Sequence, residues 1–339
     1  MKLEDRLLDM LEAAETPISG AEMAAKTGVS RNAVWKAMGR LRERGYVIEG
    51  ATNRGYRLIS DGAVLSAENV RRLLREPARS LAALRVEETV TSTNTVVKEL
   101  AEAGGAEGMV VIAREQTAGK GRLGRSFYSP KGTGLYMSLL LRPRFDASES
   151  LWITTAAAVA VARAIETVTG REAKIKWVND VYVDGYKVCG ILTEASVDFE
   201  TRGLHYAVLG IGINVQEPPM GFSPELRDIA GALYSREETV PAGAPSRLAA
   251  EVLSEFFSFY QSLTEKAFLP EYRERSLLTG VEVSFTRGEE TCRGRVKGVD
   301  DQARLLVALP SGETIALGAG EVQIGKEFLE QIRGKREKT

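Results

Sequence analysis

Residues 108–134 read GMVVIAREQTAGKGRLGRSFYSPKGTG, and this stretch is the centre of the fold prediction. The β-branched run Val110 to Ala113 predicts a short buried strand. A loop at 119–125 follows, and glycines alternate in it with the cations Lys120, Arg122 and Arg125. Glycine lets a backbone approach a ligand closely, and the cations supply charge for an anion. The stretch therefore predicts a basic loop that closes over a phosphate-bearing ligand; the alternative is a solvated surface loop.

The spacing Gly119-x-Gly121-x-x-Gly124 also matches the dinucleotide fingerprint formally. That motif needs a helix to begin at the glycines, because the helix N-terminus holds the pyrophosphate. Here Pro130 and Gly132 stand where the helix should run. No strand-ending acid follows about 20 residues on, as the ribose contact requires. A Rossmann fold is therefore excluded.

The totals describe a soluble chain of two or three domains. Its 339 residues exceed one ordinary domain, and 44% apolar with 27% charged residues suits a globular protein. No run approaches the ~18 uncharged apolar residues of a membrane span, and the N-terminus does not resemble a signal peptide. We therefore expect a cytoplasmic protein with no membrane partner. Two cysteines and one histidine exclude a disulfide scaffold and a Cys/His metal cage, and His205 is expected to be structural.

The first 60 residues predict a winged helix-turn-helix. Apolar residues recur at helical spacing over 3–14. Ser19 to Glu22 forms a capping-box pattern that opens a second helix, which Gly28 ends. Ser30 caps a third helix, and its buried face is marked by Val34, Met38 and Leu41. Strand-like pieces at 46–49 and 56–59 complete the wing.

Positive charge is concentrated in this segment. From Arg31 to Arg57 there are seven cations and two anions, in a chain whose net charge is −1. This local excess predicts DNA binding, with base contacts at the start of the third helix and phosphate contacts at the wing. The predicted DNA-binding residues are Ser30, Arg31, Asn32, Lys36, Arg54 and Arg57. Trp35 lies beside the core stripe and is expected to pack; the alternative for the whole segment is a winged helix used for protein contacts.

Two polar clusters lie in the central region. A strand at 84–89 is followed by five small polar residues at 91–95 and a helix at 96–103. This turn offers hydroxyl and amide partners to a ligand, or simply caps the helix. Further on, residues 174–192 read KIKWVNDVYVDGYKVCGIL, in which Asp184-Gly185 is a type I′ hairpin signal. We expect two lysines on neighbouring strands and an Asn-Asp pair at the bend, able to hold a carboxylate, a phosphate and a metal ion; these residues are Lys176, Lys187, Asn179 and Asp180.

The last third predicts a small β domain. Short strands at 281–285, 292–299, 303–308 and 314–317 indicate an SH3-like barrel. The predicted domains are a winged helix at 1–62, a linker with a short helix at 63–83, a catalytic domain at 84–275, the barrel at 276–325 and a charged tail at 326–339.

Six motifs resemble those of biotin–protein ligases in order and spacing. They are Ser92-Thr93-Asn94, Gln116, the loop 119–125, Lys176-Trp177-x-Asn179-Asp180, Lys187 with Gly190-Ile191-Leu192, and 210–214 ending in Asn214. The winged helix in front resembles the bifunctional kind, which is also the biotin operon repressor. The resemblance implies a multidomain α+β protein, with a three-layer α+β catalytic domain between the winged helix and the barrel.

The resemblance also implies the roles of the site residues. Biotin would contact Ser92, Thr93, Asn94, Gln116, Lys120, Gly121, Arg122 and Lys187. ATP and the adenylate would contact Arg122, Arg125, Phe127, Lys176, Asn179, Asp180 and Asn214, with Mg²⁺ near Asp180. Lys187 and Arg122 would be catalytic. The family often has Pro where Val178 stands, a harmless change, and Trp where Phe127 stands, which weakens the expected nucleotide stacking.

The implied activity is ATP-dependent ligation of biotin through biotinyl-5′-AMP to a lysine of the biotin carboxyl carrier protein, a subunit of acetyl-CoA carboxylase. The implied regulation is repression at operator DNA by an adenylate-promoted homodimer. Two alternatives are a lipoate or octanoate ligase of the same fold and a catalytically inactive ligand-sensing repressor.

Overall fold

The computed structural model describes residues 2–14, 16–43, 46–51, 55–60, 65–143, 150–197, 204–288 and 290–334. Two compact units make up the chain. One comprises Met1–Leu73 with Thr239–Arg247, and the other comprises Leu74–Glu238 with Leu248–Thr339.

The first unit has the predicted winged helix-turn-helix fold. Its elements are α1 (Leu3–Glu12), α2 (Gly20–Thr27), α3 (Arg31–Glu43), the hairpin β1 (Val47–Ala51) and β2 (Gly55–Ser60), and α4 (Ala67–Leu73). Ser19 Oγ accepts the Glu22 amide at 3.1 Å, and Gly28 ends α2 in the left-handed conformation at φ 72°. Ser30 Oγ accepts the Ala33 amide at 3.1 Å. Side chains from all three helices form one buried core, including Leu7, Met23, Val34, Met38 and Leu41.

The expectation that Trp35 packs in this core is wrong, because 63% of the residue is exposed. Successive helical residues are rotated by about 100°, so the neighbour of Val34 falls outside a narrow apolar stripe. Trp35 instead shares the exposed face of α3 with Arg31, Asn32 and Lys36. Ser30 and Arg57 are exposed as well, whereas Arg54 lies outside the described residues.

The second unit is built on a seven-stranded sheet. In space the strands run β3 (Ala83–Glu87), β4 (Met109–Ala113), β5 (Gly134–Leu141), β9 (Leu204–Asn214), β8 (Tyr186–Val197), β7 (Asp180–Val183) and β6 (Lys174–Lys176). Only the β3–β4 pair within this sheet is parallel. Four helices accompany these strands along the chain: α5 (Thr93–Glu102), α6 (Leu151–Thr169), α7 (Ala244–Tyr260) and α8 (Leu269–Glu274).

The helices α5 and α6 lie on opposite faces of the sheet. Asn94 of α5 donates to the Glu194 carboxylate at 2.7 Å, whereas Thr154 Oγ1 of α6 lies 2.8 Å from Thr193 Oγ1. Adjacent residues of one strand point to opposite faces, so the two helices sandwich the sheet in the predicted three layers. Among the described residues, α6 is one helix long and apolar enough to cross a membrane, yet 72% of its most apolar window is buried inside the protein.

The C-terminal strands form the predicted small β domain. The five antiparallel strands are β10 (Glu282–Arg287), β11 (Glu290–Val299), β12 (Leu305–Ala308), β13 (Thr314–Leu317) and β14 (Val322–Ile324), in the order β13-β12-β11-β10-β14. Trp177 Nε1 donates to the Ala303 carbonyl at 2.9 Å and thereby ties this sheet to the larger one. Helix α9 (Lys326–Gly334) follows, and the tail beyond it lies outside the described residues.

Candidate active site

Three glycines form the floor of a cleft on the α5 side of the large sheet. Gly190 pairs with Gly212 across β8 and β9, and Gly210 is two residues along from Gly212. A Cβ on Gly212 would stand 2.6 Å from the Phe127 ring, and one on Gly210 would overlap the Asn94 amide. The cleft encloses about 220 Å³. Most ligand pockets exceed roughly 300 Å³. In this cleft the Phe127 ring lies against the floor formed by Gly190 and Gly212.

At one end of the cleft the 92–94 turn is held by a polar network. Gln116 Oε1 accepts the Thr93 amide at 2.9 Å and lies 3.2 Å from the Thr93 hydroxyl. Ser138 Oγ donates to Asn94 Oδ1 at 2.6 Å and also lies 2.7 Å from Thr93 Oγ1. The other amide end of Gln116 donates to Ser129 Oγ at 2.9 Å. These side chains are buried or half-buried and fixed in orientation, which suits selective hydrogen bonding to a polar ligand head.

The basic loop closes on itself without starting an α-helix, as the exclusion of a Rossmann fold requires. The Gly121 amide donates to the Arg125 carbonyl at 2.7 Å, and the Phe127 amide donates to the Gly119 carbonyl at 2.8 Å. Leu123 at the tip has φ 55° and is 72% exposed. A left-handed, exposed leucine is unfavourable in isolation, which is typical of loops that rearrange around a ligand.

The two arginines of this loop contact the C-terminal domain. Arg122 donates to Asn179 Oδ1 at 2.9 Å and to the Gly320 carbonyl at 3.2 Å. Arg125 makes a bidentate pair with the Glu321 carboxylate at 2.8 and 2.7 Å. Both guanidinium groups therefore donate to protein oxygens in this structure.

Lys187 and Asp180 form an ion pair in the cleft, with Lys187 Nζ 2.6 Å from Asp180 Oδ1. Lys176 also lines the cleft, and burial lowers the pKa of its ammonium, although Asp180 and Glu321 partly oppose this shift. The expectation that Lys176 and Lys187 lie on neighbouring strands is wrong, because β7 separates β6 from β8. Residues 177–179 make a turn of their own before the Asp184-Gly185 turn, so the segment forms three strands.

The structure brings the predicted ligand residues together. The cleft is lined by Ser92, Thr93, Asn94, Gln116, Lys120, Gly121, Arg122, Arg125, Phe127, Lys176, Asn179, Asp180, Lys187 and Asn214. Asn214 Nδ2 donates to the Gly231 carbonyl at 2.9 Å. The sequence analysis did not identify Ser138, Ser129 and Glu194. These residues hydrogen-bond to Asn94 or Gln116, but they belong to no recognisable sequence motif. Sequence reasoning also missed a cleft wall formed by Phe222, Leu226, Ile229 and Ala230.

His205 and Cys189 do not provide a competing chemistry in this cleft. His205 is exposed on β9 and does not line the cleft. Cys189 does line it, but the residue is buried and burial raises the pKa of its thiol, which disfavours the reactive thiolate. Within the described ranges no group of three or more His, Cys, Asp or Glu side chains could hold a metal ion.

Comparison with known proteins agrees with this architecture. Residues 4–57 match the HTH domain model, residues 86–214 the Biotin/lipoate A/B protein ligase family, and residues 279–325 the Biotin protein ligase C terminal domain. The chain is 35% identical over 306 residues to the bifunctional ligase/repressor BirA of Bacillus subtilis, covering 89% of this chain and 92% of that protein. It is 30% identical over 246 residues to the biotin–[acetyl-CoA-carboxylase] ligase of Mycobacterium tuberculosis, covering 70% and 86%.

A solved structure resembles most of this chain. The biotin protein ligase of Aquifex aeolicus in complex with biotin and ATP matches with a TM-score of 0.58 at 28% identity, over 72% of this chain and 99% of that one. The chain combines a winged helix-turn-helix with an α+β domain whose cleft is lined by several cations. This combination defines a DNA-binding enzyme that binds an anionic ligand. The chain belongs to the biotin–protein ligase family, in its bifunctional ligase/repressor branch.

Proposed function

We propose that the protein is an ATP-dependent biotin–[biotin carboxyl carrier protein] ligase that also represses biotin genes, with biotinyl-5′-AMP as co-repressor. One observation supports this most strongly. A single cleft has a fixed polar turn at one end and the Lys187–Asp180 pair with Lys176 and Arg122 nearby. A carboxylic acid and a nucleotide need this combination when they must react with each other.

The polar turn and Lys187 would bind different parts of biotin. Thr93, Asn94 and Gln116 would hold the polar head of biotin by hydrogen bonds and point its carboxylate toward Lys187. A carboxylate oxygen then attacks the α-phosphorus of ATP, the acyl–phosphate bond forms, and the bond to the β-phosphate breaks to release pyrophosphate. Lys187 and Arg122 stabilise the negative charge that grows on the phosphate oxygens, because preplaced cations need no reorganisation during the reaction.

The donor set fits a magnesium ion that arrives with ATP. Mg²⁺ is usually held by one or two carboxylates together with substrate phosphates, and Asp180 would supply such a carboxylate. The ion would screen phosphate charge while Asn179 and Lys176 bind the nucleotide. Lys120 and Gly121, with Arg125 and Phe127, would cover the adenylate and exclude water.

The second half-reaction transfers biotin to a protein. The amine of a carrier lysine attacks the acyl carbon, the amide bond forms, and AMP leaves. The proposed carrier is the biotin carboxyl carrier subunit of acetyl-CoA carboxylase, and the proposed location is the cytoplasm. For repression, Ser30, Arg31, Asn32 and Lys36 would contact operator bases and Arg54 and Arg57 the phosphates. An adenylate-promoted homodimer would place two such units on two half-sites.

The test is mass spectrometry of the purified protein after incubation with Mg-ATP and biotin, with lipoate and octanoate in parallel. We expect retained biotinyl-5′-AMP from biotin alone. An adenylate from lipoate or octanoate alone would assign the chain to the sister ligases, which the matched family model also covers. No adenylate from any of the three acids would leave a DNA-binding sensor, and the roles of Lys187 and Arg122 would be withdrawn.

A further inference from the structure

Helix α9 follows the residues matched by the C-terminal domain model, which end at 325, and it packs against the large sheet. Arg333 on this helix donates to the Gly185 carbonyl through Nε at 3.2 Å and through Nη2 at 3.1 Å. Its Nη2 also donates to the Asp228 carbonyl at 2.8 Å. The guanidinium carbon lies 3.9 Å from the centroid of the Tyr186 ring. One side chain thus joins the β7–β8 turn to the segment around residue 228.

These contacts continue directly to Lys187. Its amide donates to the Ile229 carbonyl at 2.8 Å, and its carbonyl accepts the Gly231 amide at 2.9 Å. Gly231 lies so close to Tyr186 that an added Cβ would stand 2.6 Å from the tyrosine Cβ. Arg333 packs on the ring of Tyr186, and Gly231 packs against the Cβ of the same residue. The position of Lys187 therefore depends on the same short segment that Arg333 holds.

The held segment is also a wall of the cleft. Leu226, Ile229 and Ala230 line the cleft, and Asn214, which is proposed to bind the nucleotide, donates to the Gly231 carbonyl at 2.9 Å. The 92–94 turn and Gln116, which are proposed to bind biotin, are held by a separate network through Ser138 and Ser129. A displacement of the 226–231 segment would thus affect the nucleotide end of the cleft and Lys187, and it would leave the hydrogen bonds of the 92–94 turn and Gln116 in place.

We infer that Arg333 is a positioning residue for the nucleotide half of the site: it fixes residues 226–231 against the strand of Lys187. Arginine suits this task because its planar fork can serve two carbonyls at once and stack on an aromatic ring, which a lysine ammonium cannot do in the same way. This inference rests on the proposed function. It gives α9 an indirect part in catalysis, because the described contacts of Arg333 are with Gly185, Tyr186 and Asp228, and none of these residues is proposed to bind a ligand.

The experiment compares full-length Arg333→Ala, Arg333→Lys and, as a matched control, Gln331→Ala, which alters an exposed residue of the same helix. We expect Arg333→Ala to raise the KM for ATP roughly tenfold, since hydrogen bonds from a charged donor are lost. The KM for biotin should rise much less, because the 92–94 turn and Gln116 keep their own hydrogen bonds and only the contact of Lys187 with the biotin carboxylate is disturbed. Arg333→Lys should give an intermediate value, and Gln331→Ala should behave as the wild type.

Amide hydrogen exchange supplies a readout that does not depend on turnover. The amides of Lys187 and Gly231 should exchange faster in Arg333→Ala than in Gln331→Ala, with or without nucleotide. Unchanged exchange, or a fall in kcat with both KM values unaltered, would overturn the inference. If the wild type forms no biotinyl-5′-AMP, the proposed function fails, and the exchange data still decide whether Arg333 holds this segment.

Discussion

Replacement of Lys187 by Met would remove the cation at the centre of the cleft. The ammonium lies 2.6 Å from Asp180 Oδ1, and the two side chains are only 27% and 16% exposed. Loss of a preplaced stabiliser typically costs 10²–10³-fold, about 2.7–4 kcal/mol. We therefore expect adenylate formation to slow by about 10²-fold or more.

The assay is single-turnover formation of biotinyl-5′-AMP with enzyme in excess over biotin and with saturating Mg-ATP. Lys174→Met is the matched control. Lys174 lies on β6 of the same sheet, but it pairs with Glu172 at the surface, where the two side chains are 41% and 68% exposed. The control should retain the wild-type rate. A Lys187→Met rate equal to that of the control would refute the electrostatic role. Circular dichroism of both variants separates loss of chemistry from loss of fold.

Three further predictions follow from contacts elsewhere in the chain. The hydrogen bonds of Arg275 lower the pKa of Glu166 below its ordinary 4.5. The ionised carboxylate therefore stabilises the folded state fully above pH 4.5, and this stabilisation is lost as the pH falls through the lowered pKa. The melting temperature of the wild type should exceed that of Glu166→Gln near neutral pH, and the difference should shrink in acid. Gly212→Ala should destabilise by ~1–3 kcal/mol, because its Cβ would stand 2.6 Å from the Phe127 ring, as thermal unfolding would measure. Arg57→Ala should weaken binding to duplex DNA and reduce the salt slope by about 1, since one phosphate contact is lost.

Each of these predictions has a control within the chain. In an Arg275→Ala background the pH dependence of the Glu166→Gln difference should be smaller, because the hydrogen bonds that lower the pKa of Glu166 are lost. In the background of Phe127→Ala, Gly212→Ala should lower the free energy of unfolding by less than it does in the wild type. An equal loss of stability in both backgrounds would contradict the proposed clash. Lys26→Ala removes a cation that pairs with Glu22 at 2.8 Å on α2, and it should leave the salt slope unaltered. Equal slopes for Arg57→Ala and Lys26→Ala would remove the wing from the DNA interface.

Local signals in the sequence predicted much of the fold. Gly28 ends α2 as predicted because it adopts the left-handed conformation at φ 72°, which glycine tolerates without strain. The Asp184-Gly185 turn is correct because both residues have positive φ, as a type I′ turn requires. In each case the neighbouring residues alone determine the conformation.

Contacts that depend on tertiary packing were not predictable in the same way. The burial of Trp35 was misjudged because the width of an apolar stripe depends on what packs against the helix. The order of Lys176 and Lys187 in the sheet depends on a turn at 177–179 that carries no standard turn sequence. Ser138 and Glu194 reach the site only through strand pairing. Arg333 contacts Gly185, which is 148 residues away in the chain.

The bidentate pair between Arg125 and Glu321 has a consequence for ligand affinity. A phosphate that recruits Arg125 must first displace a carboxylate, so binding is an exchange of one anion for another. The measured affinity then equals the intrinsic affinity reduced by the fraction of molecules in which the arginine is free. If Arg125 contacts the nucleotide as proposed, Glu321 competes with the ligand for this arginine, and the strength of the ion pair affects the nucleotide concentration at which Arg125 moves from Glu321 to the ligand.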